Sequence, residues 1–340
     1  VEFDRYEPPF AHYRPKTPDA PQIVLISQPG DQAALYGLYD ILQSLKSVPL
    51  EGERERGDKG FRITGISAET ATTVEAKLEG GVIKGWMLIS SPSNADRDAR
   101  ILQLLQSTFT AEGEVALDPG MVAMAPEAKA GMVAGLELRT PRLSRSGLFV
   151  TAEGAVLTTV EAVEGCARVT IDHTTDASVT LSDPKTGLAL LTPAAVLSPR
   201  SFATFPAGSG RPGSEVTLSG YSYEDRLPAP VLTFGTLEEL TGLAGEADLR
   251  RLSLPALPGD AGGPVLDATG ALIGMLLPAE APADKALPPG VAFALGANAI
   301  ARIIEPAGIV PTQAETTDPL APTDMTDIAT GMTALVSCWD

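Results

Sequence analysis

The sequence predicts a mainly β protein in which an all-β barrel or sandwich follows a small α+β domain. From about residue 128 to 309, short apolar runs alternate with Gly and Pro turns, which is the pattern of many short strands. The chain holds 33 Gly and 29 Pro but only 5% aromatic residues, which also favours turns and short strands. Ahead of residue 120, two stretches instead carry apolar residues at helical spacing.

The first part of the chain divides into two predicted segments. Residues 1–21 are rich in Pro and Tyr, show no periodicity and predict an extended N-terminal arm. Residues 22–120 predict the small α+β domain: a strand at 22–27, an amphipathic helix at about 31–46, three strand-like runs and a second helix ending near residue 109. No cluster of polar residues in this domain indicates a site, which favours a packing or docking role.

The second part contains many predicted strands and little helix. Residues 128–309 carry the runs GLFVT, GAVLTT, ARVTID, LALLTP, EVTLSGY, VLTFGTL, GPVLD and ALIGMLL, and a terminal helix is predicted at 296–309. Residues 310–340 predict a Pro/Thr linker, to about residue 326, and a C-terminal strand in MTALVSCWD.

Charge excludes several kinds of partner. The 340 residues include 25 basic and 43 acidic side chains, a net charge of −18. Nucleic acids and anionic lipid surfaces repel such a chain. No apolar run approaches the roughly 18 residues that a membrane span needs. We expect no nucleic acid, no membrane span, no metal and no cofactor.

One motif points to chemistry. The stretch LPGDAGGPVLD (257–267) reads G-D-x-G-G-P, a frame that normally holds a nucleophilic serine. Here the serine position is Ala261, whose methyl group cannot attack a substrate.

Four segments in order resemble the trypsin-like (chymotrypsin-fold) serine peptidases, particularly the Deg/HtrA type. They are SRSGLFVTAEGAVLTTVEAVEGC, DPKTGLALLTP, PGDAGGPVLDATGALIGMLL and GVAFALGANAIARII. The resemblance covers about half of the 340 residues and leaves out the N-terminal domain. It implies a trypsin-like double antiparallel β-barrel over residues 128–309.

The resemblance also places the catalytic triad. Its histidine, carboxylate and nucleophile positions fall on Glu161, Gly187 and Ala261. A serine needs a histidine to take its proton and a carboxylate to orient that histidine, and none of the three is present. An engineered Ser-to-Ala change would explain Ala261 alone. The resemblance therefore implies a degenerate member with no catalytic residues.

Other candidate residues have structural as well as functional interpretations. Gly259, Asp260 and Ala261 form the vestigial oxyanion-hole turn, kept either for its shape or to bind a carbonyl or anion. His12, in the arm, and His173 are expected to be surface or hydrogen-bonded histidines. Glu161 is too weak a base at neutral pH unless burial raises its pKa.

The two cysteines provide evidence on the cellular compartment of the protein. Cys166 and Cys338 allow one intramolecular disulfide, which would hold the C-terminal strand on the first barrel if the protein is exported. Two unlinked thiols are the alternative. The first residue is not Met, which fits either a processed N-terminus or a trimmed chain. The Deg/HtrA resemblance implies a periplasmic or secreted protein.

Two functions remain open from the sequence. The first is a catalytically inactive pseudoprotease that binds a protein or an extended peptide, as a scaffold or regulatory subunit in an envelope complex. The second is an enzyme, either a hydrolase with a non-standard constellation or one whose activity lies in the N-terminal domain.

Overall fold

The structure, a computed structural model, describes residues 1–17, 20–110, 115–117, 132–133, 135–279, 290–315 and 318–340. The chain divides into two compact units, Val1–Thr140 and Pro141–Asp340. The predicted domain bounds at residues 120 and 128 lie outside the described residues. The division falls between residues 140 and 141.

Unit 1 is built on an antiparallel sheet. Among the described residues the sheet has seven strands in the order β1-β2-β3-β7-β6-β5-β4. These strands are β1 (Glu2–Glu7), β2 (Phe10–Arg14), β3 (Gln22–Pro29), β4 (Arg54–Gly57), β5 (Gly60–Ile66), β6 (Ala71–Glu79) and β7 (Val82–Ser90). A short hairpin of β8 (Met132–Val133) and β9 (Leu136–Glu137) also belongs to this unit.

Two helices accompany the sheet. In α1 (Gln32–Gln43), the Asp31 carboxylate caps the first turn by accepting a 3.0 Å hydrogen bond from the Ala34 N–H. Leu35, Leu38 and Leu42 of this helix are buried in the same core as Val74 and Met87 of the sheet. The second helix, α2 (Ala95–Thr108), is mostly exposed, so it buries much less apolar surface than α1.

The predicted N-terminal arm is instead part of the sheet. β1 pairs with β2, and β2 pairs with β3, so residues 2–14 complete one side of unit 1. Phe10, Ala11 and His12 are all buried. Three consecutive buried residues erase the alternation that marks a half-buried strand, which explains why the sequence pattern did not reveal β2.

Unit 2 contains two closed antiparallel barrels, each with six strands among the described residues. The first has the order β10-β11-β14-β13-β12-β23 and the second β16-β17-β18-β21-β20-β19. The first barrel consists of β10 (Leu143–Phe149), β11 (Val156–Thr159), β12 (Arg168–Ile171), β13 (Thr175–Asp183), β14 (Leu188–Pro193) and β23 (Thr333–Trp339). The second consists of β16 (Glu215–Gly220), β17 (Val231–Glu239), β18 (Leu249–Ser253), β19 (Pro264–Leu266), β20 (Leu272–Leu276) and β21 (Val291–Gly296). This confirms the predicted double barrel.

One hydrophobic core joins the two barrels. Leu148 and Leu190 of the first barrel share a buried cluster with Leu272 and Leu295 of the second. Two helices, α3 (Ala297–Ile304) and α4 (Pro322–Met332), add Ile300, Ile304, Met325 and Met332 to this cluster. A parallel pair of β15 (Thr204–Phe205) and β22 (Thr312–Gln313) also lies in unit 2. The barrels are thus packed as one body.

The C-terminal segment differs from its prediction. The predicted final strand exists as β23, but it pairs with both β10 and β12 and is the sixth strand of the first barrel. The barrels therefore extend beyond the predicted limit at residue 309. The predicted linker also contains the first half of α4, whose buried Met325, Ala329 and Met332 follow helical spacing within a Thr- and Asp-rich stretch.

The predicted disulfide joins Cys166 to Cys338 in the structure. Cys338 lies in β23, and Cys166 lies just before β12, so the bridge connects strands that are also hydrogen-bonded. Among the described residues, no helix has the length and apolar character to span a membrane.

Candidate functional site

Glu161 occupies a short 3-10 turn, Val160–Ala162, directly after β11. Its carboxylate accepts a 2.6 Å hydrogen bond from Nε of Arg145, which lies on the neighbouring strand β10. The side chain is 37% exposed. The histidine position of the trypsin-like pattern is therefore occupied by one half of an ion pair.

Arg145 binds a second carboxylate as well. Its Nη1 donates to Oε1 of Glu224 at 3.1 Å and to the Ser144 carbonyl at 3.0 Å. Glu224 lies in the loop after β16 of the second barrel, so Arg145 connects the two barrels. The arginine side chain is only 11% exposed, against 47% for Glu224. A nearly buried cation held by two carboxylates occupies this junction.

Gly187 lies beside Glu161. Its carbonyl accepts a 2.9 Å hydrogen bond from the Val160 N–H. Its φ of +73° is in the left-handed region, which L side chains rarely adopt. The backbone at the carboxylate position is thus shaped for glycine.

Ala261 follows a 3-10 turn formed by Pro258–Asp260 and is itself buried. Its N–H donates to the Pro258 carbonyl at 3.3 Å, and the Gly263 N–H donates to the Asp260 carbonyl at 2.9 Å. An oxyanion hole requires the N–H at the nucleophile position to point at the ligand. In this conformation that N–H is bonded within the turn.

The glycines of the turn are required by close packing. A Cβ on Gly262 would lie 2.1 Å from the Ser146 carbonyl oxygen, and one on Gly259 would lie 2.1 Å from the Tyr221 carbonyl oxygen. Gly262 also has a φ of +88°. The Gly262 contact brings the Ala261 turn against β10 beside Arg145, so the structure places Glu161, Gly187 and Ala261 around one junction.

Asp260 supports the turn from inside. This buried carboxylate accepts a 2.6 Å hydrogen bond from Ser222 Oγ and a 2.8 Å bond from the Leu257 N–H. Burial raises the pKa of Asp260, and these two hydrogen bonds oppose the rise. Its position and contacts indicate a structural carboxylate within the turn.

Ser146 is a residue that the motif comparison did not identify. Its Oγ donates to the Gly259 carbonyl at 2.8 Å and accepts from the Tyr221 N–H at 2.7 Å. The Ser146 carbonyl accepts from Thr158 Oγ1 at 2.8 Å. Because Ser146 is fully buried and its hydroxyl is bonded on both sides, it joins the barrels and is not a nucleophile. Its sequence neighbours are Arg145 and Gly147, so no local apolar pattern marked it.

The two histidines lie away from this junction, and the Tyr221 phenol stays protonated. His12 belongs to unit 1, and His173 lies in the exposed turn between β12 and β13. Burial and, secondarily, the charge of Asp172 raise the pKa of Tyr221 to about 12, so its phenol stays protonated at neutral pH. Among the described residues, no three His, Cys, Asp or Glu side chains group together as metal ligands.

Two packed six-stranded barrels, with a G-D-x-G-G-P turn at their junction, define the chymotrypsin-type fold. Residues 145–275 match the family model of the trypsin-like peptidase domain. The match confirms, for this part of unit 2, the resemblance found in the motifs. The match does not extend into unit 1.

Known proteins with similarity to the chain include one curated relative and several solved structures. The protein y4bJ of Sinorhizobium fredii, described as uncharacterized, is 25% identical over 203 residues, which make up 57% of this chain and 32% of y4bJ. The chain thus spans about a third of that relative's length. The active form of the Rv3671c protease from M. tuberculosis has a TM-score of 0.38 and 22% identity, covering 52% of this chain and 75% of that one. A serine endoprotease from Yersinia pestis has a TM-score of 0.38 and 19% identity, covering 48% and 57%.

Proposed function

We propose that unit 2 is a pseudoprotease, a trypsin-like domain that binds an extended polypeptide without cleaving it. The ion pair between Arg145 and Glu161 carries this proposal. At the position where a peptidase has its general base, this chain has a carboxylate that neutralises a nearly buried arginine.

The residues at the three predicted triad positions do not supply the groups that peptide hydrolysis needs. Glu161, at the position predicted for the base, is already engaged with the Arg145 guanidinium. Ala261 offers no hydroxyl, and Gly187 offers no carboxylate to orient a base. The Ala261 N–H, bonded to Pro258, is not available to a developing oxyanion.

Peptide binding makes smaller demands. Trypsin-like barrels bind an extended peptide along a strand edge through backbone hydrogen bonds, and this mode does not require the triad. Exposed apolar side chains also border the Ala261 turn. Tyr223 is 54% exposed and Leu257 is 40% exposed, and their segments contact one another. Such side chains favour an unfolded or extended polypeptide as the partner.

The proposed setting is the cell envelope or the extracellular space. The Cys166–Cys338 disulfide supports it, because disulfides persist in oxidising compartments and are rare in the cytosol. In that setting the domain would act as a scaffold or regulatory subunit for a protein partner.

The test uses fluorescein-labelled casein, an unfolded protein that reports binding by anisotropy and cleavage by gel electrophoresis. We expect saturable binding and no fragments. Tyr223→Ala should weaken the binding by about fivefold or more, as expected for loss of an aromatic contact. Leu243→Ala, which removes another exposed apolar side chain of unit 2, should leave it unchanged.

Two outcomes would contradict the proposal. Casein fragments that disappear with Glu161→Gln would show that the junction is catalytic. Absence of saturable casein binding would remove the peptide-binding function.

A further inference from the structure

Unit 1 contains a cavity that is separate from the barrel junction and lies outside the trypsin-like match. Its volume is about 340 Å³, and it lies between the first half of α2 and one end of strands β5, β6 and β7. Apolar side chains supply much of its wall, namely Ile66, Ala71, Leu88, Ala99 and Leu102. Cavities of this size, mostly apolar with a few placed polar groups, are typical of small-molecule sites.

Asp98 supplies the charged group of this cavity. The residue lines the cavity from α2 and is only 5% exposed. One carboxylate oxygen, Oδ1, accepts a 3.1 Å hydrogen bond from Nε of Arg97. The other oxygen, Oδ2, is buried and has no hydrogen-bond partner within the part of the chain that the structure describes. A buried carboxylate oxygen without a donor is costly, so this atom is an unfilled acceptor.

The hydroxyl groups of Thr72, Ser90 and Thr64 nearby do not donate to Asp98 Oδ2. Thr72 Oγ1 donates to the Ser47 carbonyl, and Ser90 Oγ donates to the Ala71 carbonyl at 3.3 Å. Thr64 Oγ1 accepts from the Glu53 N–H at 2.9 Å. These lining groups are engaged with the protein, and Asp98 Oδ2 is left without a donor among the described residues.

We propose that this cavity binds a small organic ammonium ion whose body is apolar. A protonated amine supplies the donor that Asp98 Oδ2 lacks, and a charge-assisted hydrogen bond is stronger than a neutral one. Ile66, Leu88 and Leu102 would contact the apolar body of the ligand. A bare metal ion does not suit the site, because one carboxylate, with hydroxyl groups already bonded to the protein, supplies too few oxygen ligands.

The first experiment compares three ligands of one shape on the full chain by isothermal titration calorimetry at neutral pH. The probes are 2-phenylethylamine, which is cationic, 2-phenylethanol, which is neutral, and 3-phenylpropanoate, which is anionic. We expect the amine to bind at least about tenfold more tightly than the alcohol, because its hydrogen bond is to a charged group. We expect no binding of 3-phenylpropanoate. Equal affinities, or no binding of the amine at up to about 10 mM, would overturn it.

The second experiment assigns the site. Asp98→Asn should lower the affinity for the amine by about tenfold or more while leaving the affinity for the alcohol little changed. Asp40→Asn is the matched control, because it removes the same charge from an exposed position on α1. Equal losses from the two variants would point to a general charge effect and contradict the assignment. The ligand comparison on the unaltered chain stands even if Asp98→Asn fails to fold.

Discussion

Nε of Arg145 lies 2.6 Å from Oε1 of Glu161, and the same guanidinium reaches Glu224 of the second barrel. Glu161, the residue that the motifs place at the general-base position of a trypsin-like peptidase, is therefore part of a charge network between the barrels. Arg145 is nearly buried, and hydrogen bonds to a charged group contribute more to stability there than at an exposed surface site, so this network makes a direct prediction about stability.

Arg145→Ala should lower the free energy of unfolding by about 1–3 kcal/mol, because it removes the hydrogen bonds of a nearly buried guanidinium to Glu161, Ser144 and Glu224. The measurement is equilibrium unfolding in urea. Arg302→Ala is the control, since it removes a surface ion pair with Asp248 and should cost no more than about 1 kcal/mol. Equal losses in the free energy of unfolding from the two variants would show that the Arg145 network stabilises the protein no more than a surface ion pair does.

Restoring the nucleophile should not restore catalysis. Ala261→Ser should remain unlabelled by a fluorophosphonate probe, because a serine hydroxyl without its histidine stays protonated. The combined variant Glu161→His, Gly187→Asp and Ala261→Ser should also remain unlabelled. Gly187 has a φ of +73°, which disfavours aspartate, and the Ala261 N–H is bonded to Pro258. Trypsin serves as the positive control, and labelling of the combined variant would refute this account of the backbone.

The disulfide should contribute strongly to the stability of unit 2. Cys166 and Cys338 are 172 residues apart, and closing a loop of that length stabilises by up to about 5 kcal/mol in the chain-entropy model. Replacing both cysteines with serine should lower the unfolding midpoint in guanidinium chloride. The unaltered protein, after reduction and alkylation, should match that variant. Free thiols at both positions in the natively purified protein would contradict the bridge.

Asp260 should make the stability of unit 2 depend on pH. Burial raises the folded-state pKa of this carboxyl above its ordinary value of 3.8, so the folded state retains the proton to higher pH than the unfolded state does. Its protonation therefore favours folding below the unfolded pKa, and this contribution is lost as the pH rises through the folded pKa. The stability of the unaltered protein relative to Asp260→Asn should accordingly increase as the pH falls from 7 toward 3.8. A constant difference, or one of opposite sign, would show that the carboxyl titrates without coupling to folding.

The local patterns of the sequence were informative where the structure depends on short-range geometry. The G-D-x-G-G-P turn was recognisable because its glycines are required by contacts too close for a side chain, such as that of Gly262 with Ser146. The helix α1 was recognisable because Leu35, Leu38 and Leu42 form one buried face. By contrast, β13 was not among the predicted strands, because its exposed polar residues give little apolar alternation.

The sequence by itself determined the trypsin-like character of unit 2 and predicted which residues stand at the triad positions, because motifs of fixed spacing are local properties of the chain. Only the tertiary structure decided what those residues do. Arg145 carries no motif, and its role depends on carboxylates 16 and 79 residues away. In the same way, β23 completes the first barrel by pairing with β10, nearly two hundred residues earlier. Such partners are selected by the packing of the whole unit, since backbone hydrogen bonds and ion pairs form between whatever groups the fold brings together.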